Sequence, residues 1–327
     1  MLEFQEDTIV PSEEFLDELG IFSGTKFINY LESEGSKVPY DNSKRQRNGL
    51  PPYYDEIKFK RAQDIFKEYA PNLLFMKLAG LVTLLNEESS LRIIMMTKNS
   101  STPETACSRY RDTLKHVLTW YTSDLQENSA LWQSIYRVKM MHHSANLQAG
   151  KIPDMPRITQ MELAGTIFGF IGFAIIRPEC FGLTSLTDED CSNLLHFWRV
   201  IGYLLGVDDR FNICRESLSE TKAIFIALSE TIIKPHMLSR HEYVLDMQLA
   251  AIRGISMFSI PINSKVFLNF TYDLVFWDNP PDSNFYFGLS IPERLASLIF
   301  KVGLRLMYYD TLRNYAKDYL RKVVSLN

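Results

Sequence analysis

The sequence predicts an all-α protein organised as one large helical domain. Apolar residues recur at three-to-four spacing in one segment after another, the period at which one helix face turns inward. The breaks between those segments are clusters of Gly, Pro and Asn, and no internal repeat or shift of composition divides the chain. With 327 residues, 46% of them hydrophobic, there is enough apolar material for a substantial core. The boundaries read as a covering arm over residues 1–50 and a domain over 51–327.

In chain order, Ser12-Glu-Glu-Phe-Leu-Asp-Glu-Leu has the acidic first turn of a short helix, and a polar stretch from Asp41 leads to Pro51-Pro52. Residues 55–69 have helical spacing that Pro71 is expected to end, and a densely apolar helix follows over 72–85. A short segment covers 91–96. Pro103-Glu-Thr then starts a helix to Tyr121 on which Arg109 and Thr113 are neighbours one turn apart. Residues 129–148 form an unbroken helix carrying His142 and His143, and its Leu131, Ile135, Val138, Met140 and Met141 are expected to face inward. Thr159-Gln-Met-Glu162 has capping-box spacing ahead of an apolar helix whose Gly165, Gly169 and Gly172 allow close packing by a helix or a flat ligand. The next helix runs through His196-Phe-Trp-Arg199 and stops at Gly206. Further helices are expected over 216–233, ended by Pro235, and over 241–258, 263–277 and 292–324, the last as a single helix or a pair.

Composition removes several function classes. Net charge is −4 and no basic stripe is present, which argues against a nucleic-acid partner. Cys107, Cys180, Cys191 and Cys214 form no Cys-x-x-Cys pair, which suits a reducing, cytoplasmic compartment. The amino terminus has no signal-like apolar run, and the longest apolar tract, 163–176, falls short of the roughly 20 residues that a transmembrane helix needs. A soluble protein is expected, with peripheral membrane attachment left open. Glycine-rich nucleotide loops, His-Glu-x-x-His and Gly-x-Ser-x-Gly are absent, and no histidine stands three residues after a glutamate as a di-iron bundle requires.

What remains is an apolar helical interior with few inward polar groups: His142 or His143, Arg109 with Thr113, and Trp198-Arg199. Such a pocket suits a flat cofactor and a hydrocarbon substrate. A neutral imidazole in a greasy helical wall is what a proximal haem ligand requires, while a lone histidine on such a face is more often plain core or surface. The residues alone leave that choice open.

Four motifs narrow it. Ser108-Arg-Tyr-Arg-Asp-Thr113, Val138-Lys-Met-Met-His142, Pro156-Arg-Ile-Thr-Gln-Met-Glu-Leu163 and Phe197-Trp-Arg-Val-Ile-Gly-Tyr-Leu-Leu-Gly206 follow one another in the order and approximate spacing of a known family. Over roughly residues 51–250 the chain resembles the latex clearing protein and rubber oxygenase family, which includes the fungal oxygenase that shortens a farnesyl chain in mycophenolic acid biosynthesis. The resemblance implies a globin-like helical core holding haem b and O2-dependent cleavage of isoprenoid double bonds, with attachment to the endoplasmic reticulum membrane as a further expectation. It implies His142 as the proximal ligand, with Lys139 where the family has arginine and His143 where it usually has a small residue. Arg109 and Thr113 match the family's Arg-x-x-x-Thr pair on the oxygen side, Arg109 serving a haem propionate or charge on bound oxygen. Trp198 and Arg199 are further candidates for contact with the cofactor. The chain departs further at the catalytic groups: Asp112 replaces the lysine of rubber-cleaving members, standing as a candidate acid or base, and Glu87 and Glu88 lie near the expected place of a catalytic glutamate without its motif. The expected function is a haem-dependent oxygenase acting with O2 on a small lipophilic alkene or isoprenoid, with a haem or lipid carrier and a cofactor-free interaction module as alternatives.

Overall fold

A helix that is apolar on every side has to be enclosed, and residues 160–176 form such a helix. In the computed structural model, which describes residues 21–40, 49–98, 100–239, 243–257, 262–278, 280–281 and 288–324, this helix lies at the centre. The helices in order are α1 (Ile21–Glu34), α2 (Glu56–Leu84), α3 (Glu88–Met96), α4 (Pro103–Thr122), α5 (Ala130–Ala149), α6 (Gln160–Ile176), α7 (Asp188–Leu205), α8 (Leu218–Leu228), α9 (Lys234–Ser239), α10 (Val244–Ser256), α11 (Ser264–Val275), α12 (Ile291–Leu306) and α13 (Asp310–Val324). Among the described residues there is no strand, only an isolated bridge between Pro39 and Thr159. The expected helix over residues 12–19 and the polar stretch 41–48 lie outside the described residues, as does the expected start at His241.

Helix α6 starts where its capping box places it, with the Thr159 amide donating to the Glu162 carboxylate at 2.7 Å. It is surrounded by α2, α7 and α8, while α1 lies on α8 and α10 on α4. The α2 contact is the tightest: a Cβ on Gly80 would run into the Gly169 carbonyl, so the two backbones touch. Gly172 lies under Phe168 of its own helix, and Gly165 has open space around it. Close packing by a helix is therefore what Gly169 serves. At the far end of α7, Gly206 takes a left-handed cap at φ 104°.

Two prolines expected to end helices do not. Pro71 lies inside α2, and the chain absorbs it as a kink at Tyr69, whose φ −105° and ψ 24° leave the helical region. Both halves bury apolar faces, and the Asn72 amide donates to the Phe181 carbonyl at 2.6 Å, so packing holds the axis together across the break. Pro235 is absorbed by a π-turn over Ser229–Ile233 that carries α8 directly into α9. Residues 292–324 form a helix pair.

The core divides in two. The larger part stacks Phe66, Tyr121 and Phe197, with ring centroids 3.9 and 4.3 Å apart, and sets Trp198 edge-on to Tyr121. A smaller cluster joins Leu85, Leu91, Ala106 and Tyr110 to Val244, Met247, Ala250 and Ala251. All four cysteines are free, and no described helix is long and apolar enough to cross a membrane. Helices α12 and α13 expose large apolar side chains, among them Ile291, Leu298, Ile299 and Tyr315.

The glycine contact predicts a pair of opposite outcomes. Gly80→Ala should lose about 1–3 kcal/mol of stability to overpacking against a backbone that cannot yield. Gly165→Ala should gain about 0.5–1 kcal/mol from helix propensity. Urea unfolding of the two variants reads both, and equal effects would show that the backbones do not touch.

Candidate functional site

Helix α5 begins at Ser129, whose hydroxyl accepts from the Trp132 amide at 3.1 Å. Its buried line runs through Leu131, Ile135, Val138, Asn146 and Ala149, and His142 falls on that line. Met140 and Met141, expected to face inward, point to solvent instead, because each lies about 100–200° around the helix from His142. His142 is half-buried, and its Nδ1 is sealed from solvent with no hydrogen-bond partner. Burial first, and the positive charge of Arg109 second, push its pKa down to about 4, so the imidazole is neutral at neutral pH. The ring of Tyr40, from the arm, meets it edge-on at 5.8 Å between centroids. Tyr40 is pinned in turn: its hydroxyl donates to the Lys139 carbonyl at 3.1 Å, and the Asn146 amide donates to its carbonyl at 2.7 Å.

Helix α4 faces this niche with Arg109. Its guanidinium is half-buried, donates to Thr97 Oγ1 at 3.1 Å and makes no ion pair among the described residues. Burial lowers its pKa without removing its charge. Thr113 lies one turn on and donates to the Arg109 carbonyl at 3.0 Å. Asp112 stands on the outer face of the same helix, exposed and 3.4 Å from Lys115, so it is not brought to the others. Glu87 is also committed elsewhere: its carboxylate caps α3, accepting from the Ser89 and Ser90 amides.

Trp198 and Arg199 lie deeper on α7. The Trp198 indole is buried, donates to the Tyr121 hydroxyl at 2.8 Å and stacks on Phe170 at 4.8 Å. Arg199 pairs with Asp209 at 3.0 Å and covers the Tyr53 ring at 3.9 Å. Neither lines the cavity described next, and Arg199 is already satisfied.

A cavity of about 970 Å³, its open mouth included, lies where the two parts of the core fail to merge. Thr113 and Tyr110 of α4, Leu81 of α2, Gly169 and Phe170 of α6 and Ile255 of α10 share its wall. The lining is almost wholly apolar, and its single charged residue is Lys77. The Lys77 ammonium donates to the Phe170 carbonyl at 2.8 Å and lies 5.3 and 5.2 Å from the ring centroids of Tyr121 and Trp198. Lys77 is 7% exposed, and burial pushes its pKa down to about 7. The periodicity of the sequence passes over this residue, although a lone lysine within Asn72-Leu-Leu-Phe-Met-Lys-Leu-Ala-Gly is itself a signal. Among the described residues no three His, Cys, Asp or Glu side chains come together as a metal site.

The family model described as ER-bound oxygenase mpaB/B'/Rubber oxygenase, catalytic domain, matches residues 69–306. The chain belongs to this family. No curated protein and no solved structure matches it. The family span of this oxygenase catalytic domain opens at the α2 kink and closes at the last residue of α12. It holds His142, Arg109, Thr113, Lys77 and every lining residue of the cavity except Leu320. Tyr40 lies outside it.

Lys77 makes the oxygenase domain less stable than an apolar residue would. An unfolded lysine keeps its proton up to about pH 10.4, whereas folding takes the group down to about 7. The unfolded chain thus binds more protons between those values, and the cost is full below pH 7 and shrinks as pH rises. Lys77→Met should raise stability by roughly 1–4 kcal/mol near pH 6 and by clearly less near pH 9.5. Denaturant unfolding at the two pH values measures this, and a loss of stability at both would show that the lysine is structural.

Proposed function

We propose that this oxygenase is haem b-dependent and uses O2 to oxidise or cleave a double bond in a small lipophilic substrate, an isoprenoid or another unsaturated lipid. The observation that carries the reading is an orphaned neutral imidazole beside a guanidinium without a carboxylate, inside an oxygenase catalytic domain. A haem asks one nitrogen ligand of the protein and cations for its propionates, and the donor set here fits both demands. When bound, the haem supplies the O2 chemistry that side chains lack.

The chain's own residues have separable tasks. His142 would hold the iron, and its neutrality leaves a lone pair free to do so. The edge-on ring of Tyr40 restrains the imidazole plane. Arg109 offers charge to a propionate, and Thr113 joins the helix face of Arg109 to the cavity wall. The apolar cavity keeps water from the substrate. Asp112, on the solvent face, is left without a part in the reaction. The apolar residues exposed on α12 and α13 support peripheral attachment of a cytoplasmic protein to the membrane from which a lipid would come.

A carrier without turnover is the second reading, favoured by one observation: among the described residues no carboxylate lines the cavity. Protein from haem-supplemented cells should show a Soret band that His142→Ala abolishes and His143→Ala keeps. It should also consume O2 with farnesyl-type alkenes and release aldehydes or ketones. A colourless protein overturns the haem reading, and a red protein without O2 uptake selects the carrier.

A further inference from the structure

The cavity has features that a site for a pure hydrocarbon would not need. An alkene or isoprenoid hydrocarbon asks only for apolar walls, yet this cavity buries a lysine at a cost in desolvation. Four helices converge on that one group: α2 carries it, α6 gives the Phe170 carbonyl, and α4 and α7 bring the Tyr121 and Trp198 rings. An ammonium has three N–H donors, and among the described residues the one hydrogen-bond acceptor placed on it is the Phe170 carbonyl. Among the described residues no carboxylate pairs with it, and burial alone acts on its pKa. The rings favour a cation at this spot without neutralising it. An anion with oxygen acceptors, entering by the cavity whose wall holds Lys77, would supply the partners that the described residues do not.

We infer that the cavity takes a long-chain carboxylic acid, with the carboxylate paired to Lys77 and the hydrocarbon tail along the apolar walls of α2, α4 and α10. Inside a dry wall a charge-assisted pair is stronger than in water, and it anchors one end of the ligand at a defined place. Tail positions are then counted from that anchor, which gives a flexible apolar chain a register that apolar contact alone does not supply. If the oxygenase reading holds, on which this step to a substrate rests, the substrate class is an unsaturated acid and not a neutral polymer.

Binding decides it. Equilibrium binding of radiolabelled oleate, methyl oleate and oleyl alcohol is measured on the purified protein, with its visible spectrum recorded alongside. The wild type should prefer oleate over both neutral ligands by about tenfold or more, the worth of a charge-assisted hydrogen bond. Lys77→Met should lose that preference while holding methyl oleate as the wild type does, and Lys77→Arg should retain it. Equal affinity for acid and ester in the wild type overturns the proposal without any variant, as does a folded Lys77→Met protein that still prefers the acid. A colourless protein that prefers oleate overturns the haem reading alone. A red protein that does not prefer it overturns this inference alone.

Discussion

The backbones of α2 and α6 touch at Gly80 and Gly169, and the site is laid out from that contact. Lys77 lies one helical turn before Gly80, and Phe170 directly follows Gly169, so the approach that removes two side chains also brings an ammonium to a carbonyl at 2.8 Å. Leu81, Leu84 and Thr166 of the same two helices form cavity wall. A larger residue at either glycine would separate the axes and alter the lysine's bond and the cavity's shape together. Packing and polarity are therefore one design here, since the helix pair that excludes water also places the charged residue of the cavity wall.

Two cations at the site are kept short of anions for different reasons. Arg109 shares the neighbourhood of His142, and its charge helps to keep that imidazole neutral. A carboxylate beside Arg109 would cancel that effect and raise the imidazole pKa, which would compete with use of its lone pair. Lys77 is farther in, among aromatic faces, where burial alone takes its pKa down. The first cation acts on a neighbouring residue, whereas the second is open to whatever enters the cavity.

Helix periodicity was a good guide to where elements lie and a poorer one to what their ends do. The spacing of α5 put His142 on the inward line, because a histidine four residues beyond Val138 has no other face to occupy. The methionines beside it read as apolar and were assigned inward, yet the arc filled by Tyr40 and Asn146 has no room for them. Pro71 and Pro235 read as stops because local chemistry forbids a straight helix through them, and tertiary packing supplied a kink in one case and a π-turn in the other. Side-chain commitments were the least legible. Arg199 is spent on Asp209, and Asp112 turns to Lys115, and both outcomes depend on rotation about an axis that sequence spacing leaves undetermined.

The family match stops short of Tyr40 and Leu320, two buried residues that cover the imidazole niche and the cavity. Tyr40 closes the imidazole niche from the arm, held by the Asn146 amide and by the backbone pairing of 38–40 with 158–160. Leu320 of α13 adds to the cavity wall from the other end of the chain. His142, Lys77 and the glycine crossing lie within residues 69–306, whereas these two covers lie outside. A wall residue cannot change without moving the glycine contact or the aromatic stack, because each packs on several helices. The two covers are buried as well, Tyr40 at 4% and Leu320 at 7% exposed, so replacing either one also costs packing. Covers and walls thus differ in where along the chain they come from and not in how deeply they are packed.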